Sequence, residues 1–408
     1  MSDKVKSSDL EELAKEQLLY PQEQLAPVKK GKQSLVIGIP KEMMTLENRV
    51  ALTPDGVAVL IANGHQILVE AGAGEAADFK DKDYSEVGAQ IEYDRKKIYE
   101  AEIVIKIEPP TQEEIDFIKP QKTLISALPT AKLTKDYLQE VSKKRLTALA
   151  FEYLEDKSGG MPVVRAMSEI CGSTVMLIAA EYLNTMNQGR GIVLGGITGV
   201  PPTKVVIIGA GTVAEYAART AIGLGAEVKI FDNHIYKLRR VKYAIGRQVF
   251  TSTLDTVALN TALSTADVAI GAMRAEGGVS PCIVTEEMVS QMRDNSIIID
   301  VSIDQGGCFE TSEIRTHKNP AYKRHGVVHY CVPNIASRVA HTSSQVLSNI
   351  FTPLLLKMAE YGGVEKMMYA DKWFTKGVYA YKSKLTNVGI TRKLNLPYSD
   401  ISLLLAGM

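Results

Sequence analysis

Short apolar runs alternate with amphipathic helical segments along the first part of the chain, over about residues 35–160. The runs are rich in Val and Ile, which is typical of strands that are buried on both faces of a parallel sheet. The predicted strands are residues 33–40, 66–70, 103–107, 123–128 and 146–151. Helices are predicted at residues 54–63 and 134–144. Strands that alternate with helices in this way predict a parallel α/β domain.

The second part of the chain shows the same alternation and is flanked by two long helical patterns. Its apolar runs are residues 204–208, 227–231, 267–273, 297–302 and 327–332. The long helices are predicted at about 165–183 and at 341–361, where Pro353 predicts a kink. We expect the tail after residue 361 to return to the first domain. The predicted fold class is therefore α/β, with two Rossmann-like parallel-sheet domains joined by two long helices and an active site in the cleft between the domains.

The predicted domain boundaries follow from these two helices. Residues 1–34 are an N-terminal extension, and residues 35–163 with 342–408 form a discontinuous substrate domain. Residues 164–341 form a dinucleotide-binding domain, inserted into the first.

A glycine-rich turn, GAGTVA, follows directly on the strand 204–208 and opens a helical pattern. In such a strand–turn–helix unit, Gly209 makes the tight turn and Gly211 lets the backbone approach a pyrophosphate. The helix N-terminus offers free N–H groups and partial positive charge to the phosphates. The turn therefore predicts a dinucleotide site. Its predicted cofactor-binding residues are Gly209, Ala210, Gly211, Thr212 and Val213.

Asp232 ends the second strand of this unit, about 20 residues after the turn, where an acidic residue bonds the ribose hydroxyls. Its negative charge would repel a 2′-phosphate, so NAD is favoured over NADP. The basic residues that follow, Lys237, Arg239 and Arg240, leave the alternative open, and Lys237 is itself a candidate cofactor contact.

The charge balance and the cysteines exclude several functional classes. Lys+Arg and Asp+Glu both number 47, so no charge excess favours nucleic acid or an anionic membrane as a partner. The four cysteines are scattered without metal-site spacing, and we expect reduced thiols and no metal. The charged N-terminus lacks the apolar core of a signal peptide, and no run reaches the roughly 18 apolar residues of a spanning helix. A cytoplasmic protein is expected.

Two basic residues of the first domain are candidates for substrate binding. Arg49 lies in the loop ENRVALTP after the first strand, where parallel α/β folds place ligands. Its planar fork suits a carboxylate, and the alternative is a surface salt bridge. Lys106 interrupts an apolar strand. It either extends to solvent from an edge or points into the cleft, where it would polarise a carbonyl or bind a carboxylate.

Polar residues also follow the late strands of the second domain. Asp304 lies in a glycine-rich turn after the strand 297–302, where it would orient a water or an ammonium group, or cap the turn. Asn334 is a candidate to hold the cofactor or the substrate by its amide. His341 opens the second long helix, from which it would reach the cleft. We interpret Cys308 as a packed thiol and His329 as a core histidine.

Several long stretches of the chain match the motifs of one known family in the same order. They are GIPKEMMTLENRVALTP, IVIKIEPP, RAMSEICG, GITGVPPTKVVIIGAGTVA, IIIDVSIDQGGCFETS and VVHYCVPNIASRVAHTS. With these motifs, nearly all of residues 35–390 resembles the alanine dehydrogenase branch of the family shared with the NAD-binding subunit of proton-pumping transhydrogenase. The resemblance implies a two-domain Rossmann-like fold, usually a homohexamer. It also implies that L-alanine is interconverted with pyruvate and ammonia, with NAD as cofactor.

The resemblance also implies roles for single residues. Arg49 and Lys106 would bind the substrate carboxylate and carbonyl, and Met167 would line the substrate pocket. Asp304 would be the catalytic acid near the nicotinamide, with Lys106 as a second catalytic candidate. The implied cofactor contacts are Ser168 and Asn334 near the pyrophosphate and nicotinamide, and Gly209, Gly211 and Asp232 at the adenosine half.

One segment departs from the family pattern. Ala127-Leu128-Pro129 stands where alanine dehydrogenases have Tyr-Leu-His, whose histidine is the general acid/base. Proline cannot transfer a proton, and the loss of such a group costs roughly 10²–10⁴-fold in rate. Either another side chain carries the proton, with Asp304, Lys106 and His341 as the candidates, or the substrate or the activity has changed.

Three hypotheses remain open on the sequence. The first is an NAD-dependent dehydrogenase of L-alanine. The second is a dehydrogenase of another amino or keto acid, because the small Ala127 leaves space for a side chain larger than a methyl group. The third is an NAD-binding protein with little turnover.

Overall fold

The protein is described here by a computed structural model that covers residues 33–43, 46–128, 133–274 and 280–406. Its strands are β1 Val36–Ile39, β2 Gln66–Glu70, β3 Gln90–Glu92, β4 Ile103–Ile105, β5 Thr123–Ser126, β6 Thr147–Ala150, β7 Lys204–Ile208, β8 Glu227–Phe231, β9 Phe250–Ser252, β10 Val268–Gly271, β11 Ile297–Asp300, β12 Ala321–Arg324, β13 Val327–Tyr330, β14 Val378–Tyr381 and β15 Lys384–Leu385. Its α-helices are α1 Pro54–Ala62, α2 Asp81–Glu86, α3 Arg95–Tyr99, α4 Gln112–Phe117, α5 Lys135–Lys143, α6 Pro162–Leu183, α7 Thr212–Gly223, α8 Ile235–Ile245, α9 Thr256–Ser264, α10 Glu286–Ser290, α11 Ala340–Tyr361, α12 Val364–Ala370, α13 Lys372–Thr375, α14 Val388–Leu394 and α15 Ile401–Ala406. Short 3₁₀ helices lie at Glu75–Ala77, Phe151–Tyr153, Thr185–Asn187, Ile303–Gln305 and Ile335–Val339.

The first sheet combines the N-terminal strands with two strands from the C-terminal tail. Within the described residues it has eight strands in the order β15-β14-β6-β5-β4-β1-β2-β3. The strands from β6 to β3 run parallel, whereas β14 pairs antiparallel with both β6 and β15. Strands β4, β5 and β6 are buried along their whole length, as their continuous apolar runs predicted. The tail therefore returns to the sheet with which the described chain begins.

The second sheet contains the predicted dinucleotide unit at its centre. In the described residues it has seven strands in the order β12-β13-β11-β10-β7-β8-β9, all parallel except the β12–β13 pair. The chain runs outward from β7 through β8 and β9, and then restarts on the other side of β7 with β10. The order thus reverses between β7 and β10, which is where open parallel sheets bind ligands.

Two long helices, α6 and α11, connect the sheets. Helix α6 begins at Pro162, three residues before the predicted start, because proline suits the first position of a helix. A Cβ at Gly172 would come within 2.4 Å of Val213 O, so the absence of a side chain lets α6 pack closely on the start of α7. Helix α11 runs through Pro353 and ends at Tyr361, and Gly362 follows as its C-cap with a φ of +81° that suits glycine.

Helix α6 departs from the expectation that no apolar run is long enough to span a membrane. By length and composition alone it passes the test for a membrane span, a test that a core helix of a soluble protein also passes. Its Val175, Ile178 and Leu183 are buried in the core of the second sheet.

The predicted fold class, with two parallel-sheet units and two long connecting helices, is confirmed. The elements that the sequence did not predict include β3, β9, β12, β14 and β15, which are two to four residues long. In β3, β9, β12 and β15 the short run mixes polar with apolar residues, so it shows neither a continuous apolar stretch nor a clear periodic pattern.

Candidate active site

The loop that carries Arg49 lies along helix α11 and is held there by serine hydroxyls. Ser344 Oγ accepts a 2.9 Å hydrogen bond from Val50 N, and Ser348 Oγ accepts one of 3.1 Å from Thr53 N. Both serines are buried. Because the loop has no strand partner at these positions, the hydroxyls satisfy its buried N–H groups and fix its path.

Arg49 is held on one side by Glu47. Its Nε and Nη2 donate hydrogen bonds of 2.7 and 2.6 Å to the two carboxylate oxygens of Glu47. Its Nη1 lies 3.5 Å from Met167 Sδ on α6. Asn334 Nδ2 donates a 2.7 Å hydrogen bond to Glu47 Oε2, so Glu47 connects the first domain to the segment after β13. Burial opposes the ionisation of Glu47, but Arg49 more than offsets this and holds the pKa of Glu47 below its ordinary value.

Lys106 lies in a buried cluster of charges directly after β4. Its Nζ is 3.0 Å from Glu114 Oε2 and 3.5 Å from Glu42 Oε2, and its side chain is 1% exposed. Tyr99 Oη donates a 2.6 Å hydrogen bond to Glu114 Oε1. Burial raises the pKa of Glu42 to about 7, against the opposing charge of Lys106. Of the two alternatives for Lys106, extension to solvent is excluded, since the amine is buried and enclosed by carboxylates, and β4 ends one residue earlier, at Ile105.

The loop that carries Asp304 is organised by the neighbouring Asp300. The carboxylate of Asp300 is buried and accepts hydrogen bonds from Ser302 N, Cys308 N and Ser312 Oγ, at 3.0, 2.9 and 2.7 Å. These bonds close the turn after β11, and Asp304 lies exposed in the 3₁₀ helix Ile303–Gln305 within this turn.

Asp304 is solvent-accessible but surrounded by protein on several sides. This partial desolvation raises its pKa above the ordinary value, and the positive charge of Arg274 opposes the rise. Burial raises the pKa of the Cys171 thiol on α6 to about 11. The charge of Arg49 acts to lower this pKa, and the charge of Asp304 acts to raise it. Arg49 and Asp304 therefore both lie within electrostatic reach of Cys171, one from each sheet.

The predicted dinucleotide turn has the geometry that its glycines require. Gly209 has φ +110°, and a Cβ there would come within 2.4 Å of Ala272 O in the loop after β10. A Cβ at Gly211 would meet no atom within 4 Å, so space lies open above the turn. Gly211 is also the N-cap of α7 and provides no side-chain bond, which leaves the N–H groups of Thr212 and Val213 available at the start of the helix. This open cradle fits a pyrophosphate.

Asp232 lies at the end of β8, as predicted, and is 2% exposed. Its Oδ2 accepts a 2.8 Å hydrogen bond from Ala210 N, and its Oδ1 accepts one of 2.7 Å from His234 N. Asp232 thus also holds the glycine-rich turn in place. Of the basic residues nearby, Arg240 already has partners in the protein. It donates hydrogen bonds of 2.7 Å to Glu215 Oε2 and 3.1 Å to Ala210 O.

The remaining candidates occupy different surroundings. Ser168 follows Met167 on α6, and Lys237 lies on α8 beside the ring of Tyr236, 5.9 Å from its centroid. The ring of His341 stacks on Phe79, and its Nδ1 lies 2.7 Å from Ala77 O.

Two interpretations of buried residues are confirmed. Cys308 is fully buried, and His329 is enclosed in β13 with its Nε2 2.8 Å from Thr311 Oγ1. Burial lowers the pKa of His329 to about 4. Within residues 33–43, 46–128, 133–274 and 280–406, no group of three or more His, Cys, Asp or Glu is placed to hold a metal ion.

The segment that departs from the family pattern is described only in part. Pro129 lies outside the described residues. Ala127 is half-buried beside the first core, and its N–H donates a 2.8 Å hydrogen bond to Ile107 O.

Sequence reasoning missed two acidic residues at this edge of the first sheet, Glu47 and Glu152. Glu47 stands two residues before Arg49, and Glu152 follows directly on β6. The rule that singled out Arg49, position just after a parallel strand, would also have found Glu152. For Glu47 the deciding contact, to Asn334, spans 287 residues of sequence and left no local signal.

Comparisons with known proteins agree with this architecture. The profile of "Alanine dehydrogenase/PNT, N-terminal domain" matches residues 38–171, and that of "Alanine dehydrogenase/PNT, C-terminal domain" matches residues 175–388. Alanine dehydrogenase 2 of Staphylococcus aureus (strain USA300) is 37% identical over 366 residues, which cover 90% of this chain and 98% of that protein.

The chain belongs to the alanine dehydrogenase/PNT family.

Two solved structures match most of the chain, including both sheets. A structure of L-alanine dehydrogenase matches with a TM-score of 0.83 at 36% identity, and covers 87% of this chain and 98% of that one. A transhydrogenase from Sinorhizobium meliloti matches with a TM-score of 0.75 at 22% identity, over 86% of this chain and 99% of that one, and shares the fold. Membership of this family supports an oxidoreductase of the alanine dehydrogenase type that uses a nicotinamide cofactor.

Proposed function

We propose that the protein catalyses the reversible, NAD-dependent oxidative deamination of L-alanine to pyruvate and ammonia. The observation that carries this proposal is the guanidinium of Arg49, held by Glu47 where the first sheet meets the Asn334 segment. Three of its N–H groups have partners among the described residues, so two of the five remain for a substrate carboxylate. The names of the relatives, Alanine dehydrogenase 2 and L-alanine dehydrogenase, support the choice of substrate.

NAD is the cofactor that the second sheet fits best. The open turn at Gly211 and the uncapped start of α7 would hold the pyrophosphate, and Asp232 would bond the adenosine ribose. The buried negative charge of Asp232 disfavours a 2′-phosphate. When bound, the nicotinamide supplies the acceptor for the hydride.

The chain's own residues would orient the substrate and exclude water. Arg49 would fix the carboxylate in one orientation, and Met167 would pack against the substrate beside it. Asp304 would face the reacting carbon from the second sheet, where its raised pKa lets it exchange a proton. Lys106, enclosed by Glu42 and Glu114, would hold its positive charge in a fixed position at the end of β4.

A second candidate is a dehydrogenase of a larger amino acid, because Ala127 has only a methyl side chain beside the proposed substrate space. Formation of NADH with a panel of L-amino acids at alkaline pH separates the two. Turnover with L-alanine that is lost in Arg49→Ala and Asp304→Asn supports the first proposal. Turnover with larger amino acids alone supports the second, and NAD binding without turnover on any amino acid rejects both.

The proposal includes a cytoplasmic homohexamer, the assembly that the resemblance implies. Light scattering coupled to size-exclusion chromatography measures the mass directly. A monomer at micromolar concentration would contradict it.

A further inference from the structure

The carboxyl group of Glu152 is a buried acid with one unpartnered oxygen. It lies in the 3₁₀ helix Phe151–Tyr153, directly after β6. Its Oε1 accepts a 2.6 Å hydrogen bond from Leu128 N, whereas its Oε2 is shielded from solvent and has no partner within the described part of the chain. A buried polar atom without a partner costs free energy, so its presence indicates a group that the fold keeps available for another purpose.

The groups that face Glu152 come from several elements. They are Glu108 after β4, Tyr137 on α5, Tyr379 on β14 and Tyr153 beside it. The hydroxyls of Tyr137 and Tyr379 are 3.0 Å apart and bond each other. Burial raises the pKa of Glu152 to about 7, the bond from Leu128 N opposes this, and the charge of Glu108 adds to the rise. A carboxyl group in this setting exchanges a proton near neutral pH.

The geometry places Glu152 beside the proposed substrate space: its 3₁₀ helix follows β6 and packs against α6, and its Oε1 is bonded to Leu128 N, the neighbour of Ala127. The charge of Glu108 acts on Glu152 and also on Arg49. From the other side, Arg274 acts on Tyr153, the neighbour of Glu152, and on Asp304. At the carboxyl ends of β5 and β6, next to Ala127, Glu152 lies where parallel sheets bind ligands.

Other candidates on the first sheet are already committed to structural contacts. The amine of Lys106 is enclosed by Glu42 and Glu114. The ring of His341 is stacked on Phe79 and bonded to a backbone carbonyl. Among the described residues where the parallel strands of the first sheet end, Glu152 is thus the acid with a buried oxygen that has no hydrogen-bond partner.

We infer that Glu152 is a catalytic residue that takes the proton from the water attacking the protonated imine (C=NH₂⁺) of the substrate, an inference that rests on the proposed function. As the water oxygen bonds to the imine carbon, the C=N π electrons move to nitrogen and one water proton moves to Glu152. Glu152 then returns this proton to the nitrogen. The C–N bond breaks with its electron pair on nitrogen, the C=O bond forms, and the hydroxyl proton passes through Glu152 to the departing ammonia, which leaves as ammonium. Glu152 ends as a carboxylate, and no electrons are gained or lost in this hydrolysis.

The test compares Glu152→Gln with Glu152→Asp and with the control Glu155→Gln. Glu155 lies three residues on and is paired with Lys376 at 2.6 Å, outside the site. Glu152→Gln is expected to lower kcat/KM for the amino acid by roughly 10²–10⁴-fold and to remove the limb of the pH profile near pH 7. Glu152→Asp is expected to restore part of the rate, and Glu155→Gln to match the wild type.

A second readout needs no cofactor. The infrared carboxyl band of the wild type minus that of Glu152→Gln is expected to show one group that protonates near pH 7. Should Glu152→Gln not fold, Glu152→Asp provides the same difference spectrum and the same pH profile, shifted rather than lost.

The outcomes separate the two proposals. A wild type that turns over normally, with a Glu152→Gln variant of unchanged rate and pH profile, overturns the role of Glu152 alone. A Glu152 carboxyl that ionises like an exposed glutamate overturns it whether or not any amino acid is oxidised. A wild type without turnover on any amino acid overturns the proposed function first, and the role of Glu152 with it.

Discussion

The side-chain amide of Asn334 donates a 2.7 Å hydrogen bond to the buried carboxylate of Glu47. The same carboxylate holds the guanidinium of Arg49 with two further bonds. One acid thus orients the proposed substrate-binding arginine and ties it to the segment after β13. The position of Arg49 therefore depends on how the two sheets are placed relative to each other.

Glu47→Gln is expected to raise KM for the amino acid by roughly 10–100-fold while the KM for NAD changes less. A glutamine keeps the shape but cannot accept two bonds from Arg49, and charge-assisted hydrogen bonds contribute about 1.5–3 kcal/mol. Steady-state kinetics with both substrates varied measures this split. Glu86→Gln, at an exposed pair with Lys82, is the control, and equal KM values in both variants would contradict the role of Glu47.

Lys106→Met is expected to lower the free energy of unfolding by about 3–5 kcal/mol, because it leaves the buried Glu114 without its cation. Urea unfolding at a fixed protein concentration measures the change. The matched control is Lys119→Met, which removes an exposed pair with Glu100 and is expected to cost about 1 kcal/mol or less. Similar losses in the two variants would show that the cluster around Lys106 is not enclosed.

Ser344→Ala is expected to destabilise the protein by about 1–3 kcal/mol and to raise KM for the amino acid, because Val50 N loses its hydroxyl acceptor. Thermal or urea unfolding gives the first quantity and initial rates give the second. In the control Ser85→Ala, an exposed hydroxyl bonded to Lys82 O is removed. A Ser344→Ala variant as stable as this control would mean that the loop does not need the bond.

The contribution of Glu42 and Glu152 to the stability of the protein is expected to fall as pH rises from about 4.5 to about 7, while the lowered pKa of His329 acts in the opposite direction. Burial raises the folded-state pKa of both Glu42 and Glu152 from 4.5 to about 7. The unfolded chain therefore releases these protons first, so their stabilising contribution is complete below the unfolded pKa and is lost as pH rises through the folded pKa. Across this window, the slope of the unfolding free energy against pH should be more positive in Glu42→Gln than in the wild type. An unchanged slope would rule out a raised pKa for Glu42.

Asp232→Ser is expected to weaken NAD binding by roughly 10–100-fold and NADP binding less, because it removes a charge-assisted bond to the ribose and the repulsion of a 2′-phosphate. A serine hydroxyl can still accept from Ala210 N, so the turn is expected to keep its shape. Calorimetric titration with both dinucleotides checks the prediction. An unaltered preference would place the discrimination elsewhere, for example at Lys237.

Much of the fold followed from patterns that are local in sequence. The fully buried strands β4, β5 and β6 were predicted because a strand buried on both faces is apolar throughout. The dinucleotide turn was predicted because Gly209, Gly211 and Asp232 belong to one strand–turn–helix–strand unit, whose geometry is set within about 25 residues. The short strands of the tail were not predicted, since their pairing depends on an edge formed far earlier in the chain.

The sequence by itself determined the α/β class and the glycine-rich turn and singled out Arg49 as a candidate, because each rests on steric or periodic rules that act over a few residues. Tertiary structure alone decided which charges meet. It enclosed Lys106 between Glu42 and Glu114, and it joined Glu47 to Asn334 across 287 residues. It also left one oxygen of Glu152 buried without a partner. Burial and the partners of a charged group set its pKa and its availability, and both depend on chain segments that only the fold brings together.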